Sequence, residues 1–456
     1  MEFDAIVIGS GQAGVPLATR LANAGRRVLL VERARLGGTC VNYGCTPTKT
    51  MIASARAAHV ARTAGRLGVR TGDVRVDLAA VVDRKDAIVR AWQEGVERRL
   101  AGAGERLQVL HGSARFVGAR EIEVGGERHS APLVIINVGA RAVVPDLPGL
   151  GEVPWLDNRR AMELRELPRR LLVLGGGYIG CEFGQLYRRL GSDVTMIDHN
   201  DRLLRREDPD ISAEIERVFR AEGIELELSV KVASVSRDDD GIAVRLGDGR
   251  ELRGSHLLVA VGRRPNTDDL GCAEAGIRLD ARGAIVVDDH YRTSVEGVYA
   301  VGDALGDPQF THTAWDDHRI LFEHLVNGAT RGRGGRLIPY TVFTDPQVAG
   351  VGLTEEQAKK RGVEYEMATM PFGHISRAIE IDETAGLMKI LIDPKTERIV
   401  GVTLVGTEAG ELLHVFVALM QAGASPRALV DVQCVHPTFA EGLQSLVMRL
   451  PRFALS

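Results

Sequence analysis

The stretch DAIVIGSGQAG, Asp4 to Gly14, decides the fold, because its pattern returns as RLLVLGGGYIG from Arg170 to Gly180. Each copy is a short apolar run that ends in three glycines spaced Gly-x-Gly-x-x-Gly. They are Gly9, Gly11 and Gly14 in the first copy, and Gly175, Gly177 and Gly180 in the second. Each runs on into a helical pattern (VPLATRLANAG or CEFGQLYRRLG) and then into a second apolar run, VLLVE or VTMID. In both copies an acid, Glu32 or Asp198, stands 18 positions after the last glycine. The first glycine of such a turn makes the tight bend, the second lets backbone approach a pyrophosphate, and the third lets helix pack on strand. The helix start then offers unpaired N–H groups and the positive end of its dipole. The acid accepts hydrogen bonds from a ribose diol. The repeat therefore predicts two dinucleotide-binding βαβ units in one chain.

Working outward, VIINVGA (residues 134–140, with Gly139) reads as a strand ending in a glycine turn, which closes the first unit. Pro145, Pro148 and Gly149 to Gly151 form a linker into the second. LLVAVGRRPN (257–266, with Gly262) closes the second unit and returns the chain to the first. GVYAVGDA (297–304) then adds a strand that ends at Asp303. After the linker RGRGGR (331–336), alternating strands and helices make a last domain. The expected fold is α/β, two Rossmann-like dinucleotide-binding domains followed by a C-terminal α+β domain. The expected segments are 1–145 and 263–335 for the first domain, 146–262 for the second, and 336–456 for the last.

A chain of 456 residues is too long for one core. Its composition is that of a globular protein, 45% hydrophobic and 26% charged with a net charge of −4. No basic excess points to nucleic acid. No apolar run approaches the roughly 18 residues that cross a membrane. The start, MEFDAIVIGSGQAG, enters a strand at once without the basic and apolar regions of a secretion signal, so a cytoplasmic location is expected. Five scattered cysteines imply no disulfide framework. In a reducing compartment a close pair is catalytic or metal-binding rather than structural.

Such a pair stands in GGTCVNYGCTPTKT, at Cys40 and Cys45. In a straight helix that spacing means a rise of about 7.5 Å and no common face. A disulfide needs Cα atoms within about 7 Å. The segment must therefore be an irregular helix start, and Gly44 and Pro47 supply the irregularity. Cysteines near a helix start also have their thiolates stabilised by the dipole.

This segment resembles the active-site stretch of the two-cysteine flavoprotein disulfide reductases, the class I pyridine nucleotide-disulfide oxidoreductases. The resemblance covers essentially the whole chain. It implies FAD on Gly9, Gly11, Gly14, Glu32, Gly38, Thr39, Gly139 and Asp303, and a nicotinamide dinucleotide on Gly175, Gly177, Gly180, Asp198 and Gly262. It implies that Cys40 is the interchange thiol and Cys45 the thiol against the flavin. Lys49 resembles the lysine near the hydride-accepting nitrogen, Glu182 its ion-pair partner, and Tyr178 the ring that covers the flavin and swings aside for nicotinamide. His436-Pro-Thr-Phe-Ala-Glu441 resembles the family's HPTxxE segment, in which the histidine is general acid–base and the glutamate orients it. That segment serves the cysteines across a two-fold axis, so the C-terminal domain becomes a dimerisation domain and the chain a homodimer. No metal is implied as a resident cofactor.

Within the family, FTHTAWDDHRI (310–320) and PTKT (47–50) look closest to the reactive-chlorine-resistance and mercuric-reductase-like subgroup. Mercuric reductases typically end in a vicinal cysteine pair and carry tyrosine in place of His436, whereas this chain ends in LPRFALS. Dihydrolipoamide dehydrogenases show HxHPT, where this chain has Cys434 and Val435 before His436. Glutathione reductases have an arginine near the position of Arg319, and one match names no substrate. Tyr43 departs from the usual aliphatic residue between the cysteines. Asp198 favours NADH, while Arg202, Arg205 and Arg206 keep NADPH open. The expected reaction is reduction of a disulfide or other small oxidised substrate. The alternatives are metal-ion reduction, dihydrolipoamide oxidation, and a flavin-only diaphorase, transhydrogenase or redox sensor.

Overall fold

The computed structural model describes residues 3–238, 241–306 and 308–454; the last two residues of the LPRFALS tail lie outside them. The chain folds as two compact units. The first comprises the residues up to Thr50, Ala80–Val143 and Gly262–Arg336; the second comprises Met51–Ala79, Val144–Val261 and everything from Leu337 on.

In the first unit β1 (Ala5–Ile8) is the centre of a five-stranded parallel sheet. Its neighbours are β2 (Val28–Glu32) and the strand Leu133–Ile136, with Ala5 opposite both Val28 and Leu133. The strands Leu107–His111 and Val298–Ala300 form the edges. All four residues of β1 are buried, as a parallel strand covered on both faces must be. The strand read as running into the glycine turn at Gly139 ends at Ile136, three residues before that glycine. Asn137 ends it, because its side chain accepts from Gly14 N at 2.9 Å and donates to the Val301 carbonyl at 3.3 Å.

In the second unit a four-stranded parallel sheet runs in the order Ile224–Glu227, Asp193–Ile197, Arg170–Leu174, His256–Val259. The same unit holds a five-stranded antiparallel sheet with Gln347–Gly352, Ile399–Gly406 and Leu387–Ile392 at its centre. Phe372, Ile390, Leu404 and Phe416 fill the core on it. The stretch 257–266 divides. His256–Val259 pairs with Arg170–Leu174 here, whereas Arg263–Pro265 pairs with Ala140–Ala142 in the first unit. Gly262, with φ +131°, makes the bend between them.

The linker RGRGGR ends the first unit at Arg336, as its position before the last domain predicts, and it is held in place. Arg333 N and Gly334 N donate to Asp289 at 2.9 and 2.6 Å, and Arg336 pairs at 2.7 Å with the buried carboxylate of Asp317. Among the described residues no helix is long and apolar enough to cross a membrane.

Charge holds the second unit together at two buried points. Arg189 pairs with Glu222 at 2.6 Å and also with Asp345, which is shared with Arg56. Lys389, 1% exposed, lies 3.1 Å from Asp208, 2.7 Å from Asp210 and 3.3 Å from Glu355. Burial works to lower the Lys389 pKa, but the hydrogen bond to Asp210 and the neighbouring carboxylates outweigh it and keep the ammonium charged. Lys389→Met should therefore lower stability by about 3–5 kcal/mol, since it leaves the buried Asp208 carboxylate without its counter-charge. Urea unfolding measures this, and an unchanged midpoint would contradict the role given to Lys389.

Candidate active site

The first glycine turn is built by close approach. A Cβ on Gly14 would lie 1.9 Å from the Gly9 carbonyl oxygen, so only glycine lets helix α1 (Gly14–Asn23) start this near the end of β1. The Glu32 carboxylate, 8% exposed, accepts from Ser10 N at 2.9 Å, Ser10 Oγ at 2.6 Å and Ala34 N at 2.8 Å. It braces the turn, and a carboxylate's four lone-pair positions leave it room to accept from a ribose. The helix α1 has no side-chain cap and no acid in its first turn.

The second turn repeats this arrangement. A Cβ on Gly180 would again stand 1.9 Å from the carbonyl of its first glycine, Gly175. Asp198 accepts from Gly176 N through one oxygen, and through the other from Asn200 N at 2.7 Å and Asn200 Nδ2 at 2.8 Å. The helix Tyr178–Leu190 is uncapped and free of acid in its first turn. Added Cβ atoms on Gly177 and Gly139 would meet no protein atom within 4 Å. Bare backbone beside an uncapped helix start is what a pyrophosphate requires, so these residues fit a bound dinucleotide. Tyr178 is the first residue of its helix and is 39% exposed. Asp303 lies in a 3₁₀ turn, with its carboxyl pushed up by burial and partly offset by Arg263 at 3.7 Å.

The cysteine segment starts against the first glycine turn. A Cβ on Gly38 would lie 2.6 Å from the Gly11 Cα. Helix α2 (Gly38–Asn42) carries Thr39 and Cys40, and α3 (Cys45–Thr63) begins at Cys45. The break falls at Tyr43 and Gly44, where a Cβ on Gly44 would be 2.9 Å from the Thr39 carbonyl oxygen. Pro47 sits in the first turn of α3, where its missing N–H costs little.

Cys40 and Cys45 are present as thiols. Their side chains share a hydrogen bond, and that bond together with burial pushes the Cys40 thiol well above the usual thiol range. Cys45 is the exposed member, and its Sγ lies 3.2 Å from the Thr311 hydroxyl. Lys49 follows Cys45 by four residues on α3 and so shares its helix face.

In the second unit His436 Nδ1 lies 2.9 and 3.1 Å from the two Glu441 oxygens. With Nδ1–H given to the carboxylate, Nε2 carries the lone pair. The ring is 68% exposed and Glu441 only 19%. Thr438 supports Glu441 by accepting from its backbone N at 3.2 Å. Glu182, 4% exposed, accepts from Phe343 N at 2.9 Å. Lys49 and Glu182 belong to different compact units.

The structure thus brings together Cys40 with Cys45, His436 with Glu441, and each strand-end acid with its own glycine turn. Reasoning from sequence overlooked Asn137, which holds Gly14 N, and Thr311, which meets Cys45. It also overlooked Asp317, which accepts from Gly302 N at 2.8 Å beside Asp303. Among the described residues no three histidine, cysteine or acidic side chains gather as metal ligands.

Comparison with known proteins bears on the whole chain. The family model for pyridine nucleotide-disulphide oxidoreductases matches residues 3–317, and the model for the dimerisation domain of the same family matches 338–447. A mercuric reductase of Lysinibacillus sphaericus is 34% identical, covering 97% of this chain and 82% of its own. A dihydrolipoyl dehydrogenase of Thermus scotoductus is 36% identical, covering 99% and 98%. The solved structure of the HOCl-induced flavoprotein disulfide reductase RclA from Escherichia coli, in its Cu(II) complex, superposes with a TM-score of 0.90. It is 34% identical and covers 97% of this chain and 99% of that one. The chain belongs to the pyridine nucleotide-disulphide oxidoreductases, FAD-dependent enzymes that draw electrons from a pyridine nucleotide.

Proposed function

We propose that this protein is a homodimeric NADH-dependent reductase of a disulfide or similarly oxidised small sulfur compound, working through Cys40 and Cys45. The hydrogen-bonded thiol pair at the break between α2 and α3 carries this reading. FAD, held by the first glycine turn, Glu32, Gly139 and Asp303, supplies the electron pair that keeps the two cysteines reduced.

The chain's own groups divide the remaining work. Cys40 holds its proton tightly, so it needs a base before it can attack. His436 of the partner subunit is that base, with Glu441 fixing Nδ1–H and steadying the imidazolium. The Cys40 thiolate attacks one sulfur of the substrate disulfide and forms a mixed disulfide. The displaced thiolate takes the proton from His436 and leaves as a thiol. Cys45 then gives its proton to the same histidine and attacks the Cys40 sulfur, and the second substrate sulfur takes that proton and leaves as a thiol as the Cys40–Cys45 disulfide closes. In this reading Lys49, on the helix face it shares with Cys45, would serve the flavin's hydride-accepting nitrogen.

The second reading, reduction of a metal ion, is favoured by the mercuric reductases among the relatives and by the Cu(II) complex of the similar structure. His436 argues against it, because metal-ion reduction gives that histidine no leaving group to protonate. NADH oxidation with a panel of disulfides, oxidised thiocyanate, quinones, Hg(II) and Cu(II) separates the two. Brisk metal turnover with no disulfide activity would overturn the first.

Three outcomes follow from the assignment of roles. Two-electron reduction should give a long-wavelength thiolate-to-flavin absorbance that disappears in Cys45→Ser; its absence from the wild type would remove Cys45 from that role. His436→Ala should keep fast reduction by NADH yet lose disulfide turnover roughly a hundredfold, the scale of a general acid–base. Stopped-flow measurement of the two half-reactions checks this, and a slowed first half would mean the role is misassigned. Asp198→Ala should weaken NADH more than NADPH, because it removes a hydrogen-bond acceptor and a repulsive charge together. Equal losses in steady-state kinetics would show that Asp198 does not read the 2′ position.

A further inference from the structure

Asp198 heads a loop, residues 199–208, that carries Arg202, Arg205 and Arg206. An arginine is the residue best suited to grip a phosphate, through two parallel N–H groups. The structure gives two of these arginines another partner. Arg202 Nη2 donates to Glu356 Oε2 at 2.8 Å. Arg205 Nη1 lies 3.6 Å from the same oxygen, while its Nε is 3.5 Å from Asp201. One carboxylate oxygen therefore collects both guanidinium groups. Glu356 belongs to the short helix Glu355–Lys360, far along the chain from the parallel sheet that ends at Asp198.

The loop is fastened at both ends, so where its arginines point matters. Leu204 N donates at 2.8 Å to the carbonyl of Gly176, the residue whose own N–H is held by Asp198. Arg205 thus leaves the backbone one residue from an anchor on the nucleotide turn. At the other end Asp208 accepts from Glu355 N at 3.0 Å and Glu356 N at 2.9 Å, and pairs with buried Lys389. Arg202 is 12% exposed and Arg205 is 49% exposed, so Arg205 is the one with room to turn.

We propose that Glu356 is a positioning residue for nucleotide choice, holding Arg202 and Arg205 in ion pairs so that neither meets a 2′-phosphate beside Asp198. This rests on the reading that Asp198 faces the adenosine ribose. Glu356 then acts by withholding a cation and Asp198 by presenting an anion. Together they favour the free 2′-hydroxyl of NADH.

The test compares wild type with Glu356→Gln, Glu356→Asp and the double variant Glu356→Gln/Arg205→Gln, each as FAD-loaded enzyme. Steady-state kinetics gives kcat/KM for NADH and NADPH, and calorimetry gives Kd for 2′,5′-ADP and 5′-ADP. Glu356→Gln should raise the NADPH-to-NADH ratio about tenfold, the scale of one charge-assisted hydrogen bond, through KM rather than kcat. It should tighten 2′,5′-ADP without tightening 5′-ADP. Glu356→Asp should restore the wild-type ratio, and Arg205→Gln in the Glu356→Gln background should abolish the gain. An unchanged ratio, an equal loss for both nucleotides, or a gain that survives loss of Arg205 would overturn the proposal. A wild type that prefers NADPH would instead overturn the NADH reading of Asp198, while the change in ratio on Glu356→Gln still judges Glu356.

Discussion

Both nucleotide-binding turns depend on one steric constraint, the third glycine lying against the carbonyl of the first. At Gly14 and at Gly180 a single added carbon would stand 1.9 Å from that oxygen. The contact brings the helix start up to the end of the strand, and with it the uncapped N–H groups. It also leaves the second residue of each turn with its N–H facing the end of the next strand. There the structure gives the same answer twice: Glu32 takes Ser10 N and Asp198 takes Gly176 N. Each acid therefore fixes the shape of its turn as well as marking where a ribose would lie. This gives a physical reason for the shared 18-residue spacing. The carboxylate has to come back to the turn from which its helix departed.

Features fixed by local chemistry were legible in the sequence. Glycine is required where backbone meets backbone, and the run from Cys40 to Cys45 cannot be one regular helix. That argument gave an irregular helix start at Gly44 and Pro47, and the structure places the break at Tyr43 and Gly44. The pairing of His436 with Glu441 spans five residues and travels with its motif. What could not be read depends on residues far apart in the chain. Asn137 reaches Gly14 across 123 positions, and Thr311 reaches Cys45 across 266. A lone asparagine after an apolar run, or a threonine at a helix start, gives no local sign of such partners. The boundary at the arginine-rich stretch 331–336 was legible, whereas its partners Asp289 and Asp317 were not. Arg202 and Arg205 were visible as cations near Asp198, but Glu356, which holds them, was not.

The helix break also explains why two chemically identical thiols can play unequal parts. Cys45 is the first residue of a 19-residue helix with no acid in its first turn, so the helix dipole favours negative charge on its sulfur. Cys40 sits in the five-residue helix before the break, half-buried and bonded to Cys45. Ionising both sulfurs at once would set two negative charges side by side, which their mutual repulsion opposes. In the proposed mechanism Cys40 therefore gives up its proton only to a base. In that proposal the base is a histidine of the partner subunit whose other nitrogen is already committed to a carboxylate. Its Nε2 keeps the lone pair, and Glu441 stabilises the charge that follows. In the proposed mechanism the asymmetry between attacking and resolving thiol begins at this break, where a side chain on Gly44 would crowd the Thr39 carbonyl and the Cys40 Cα.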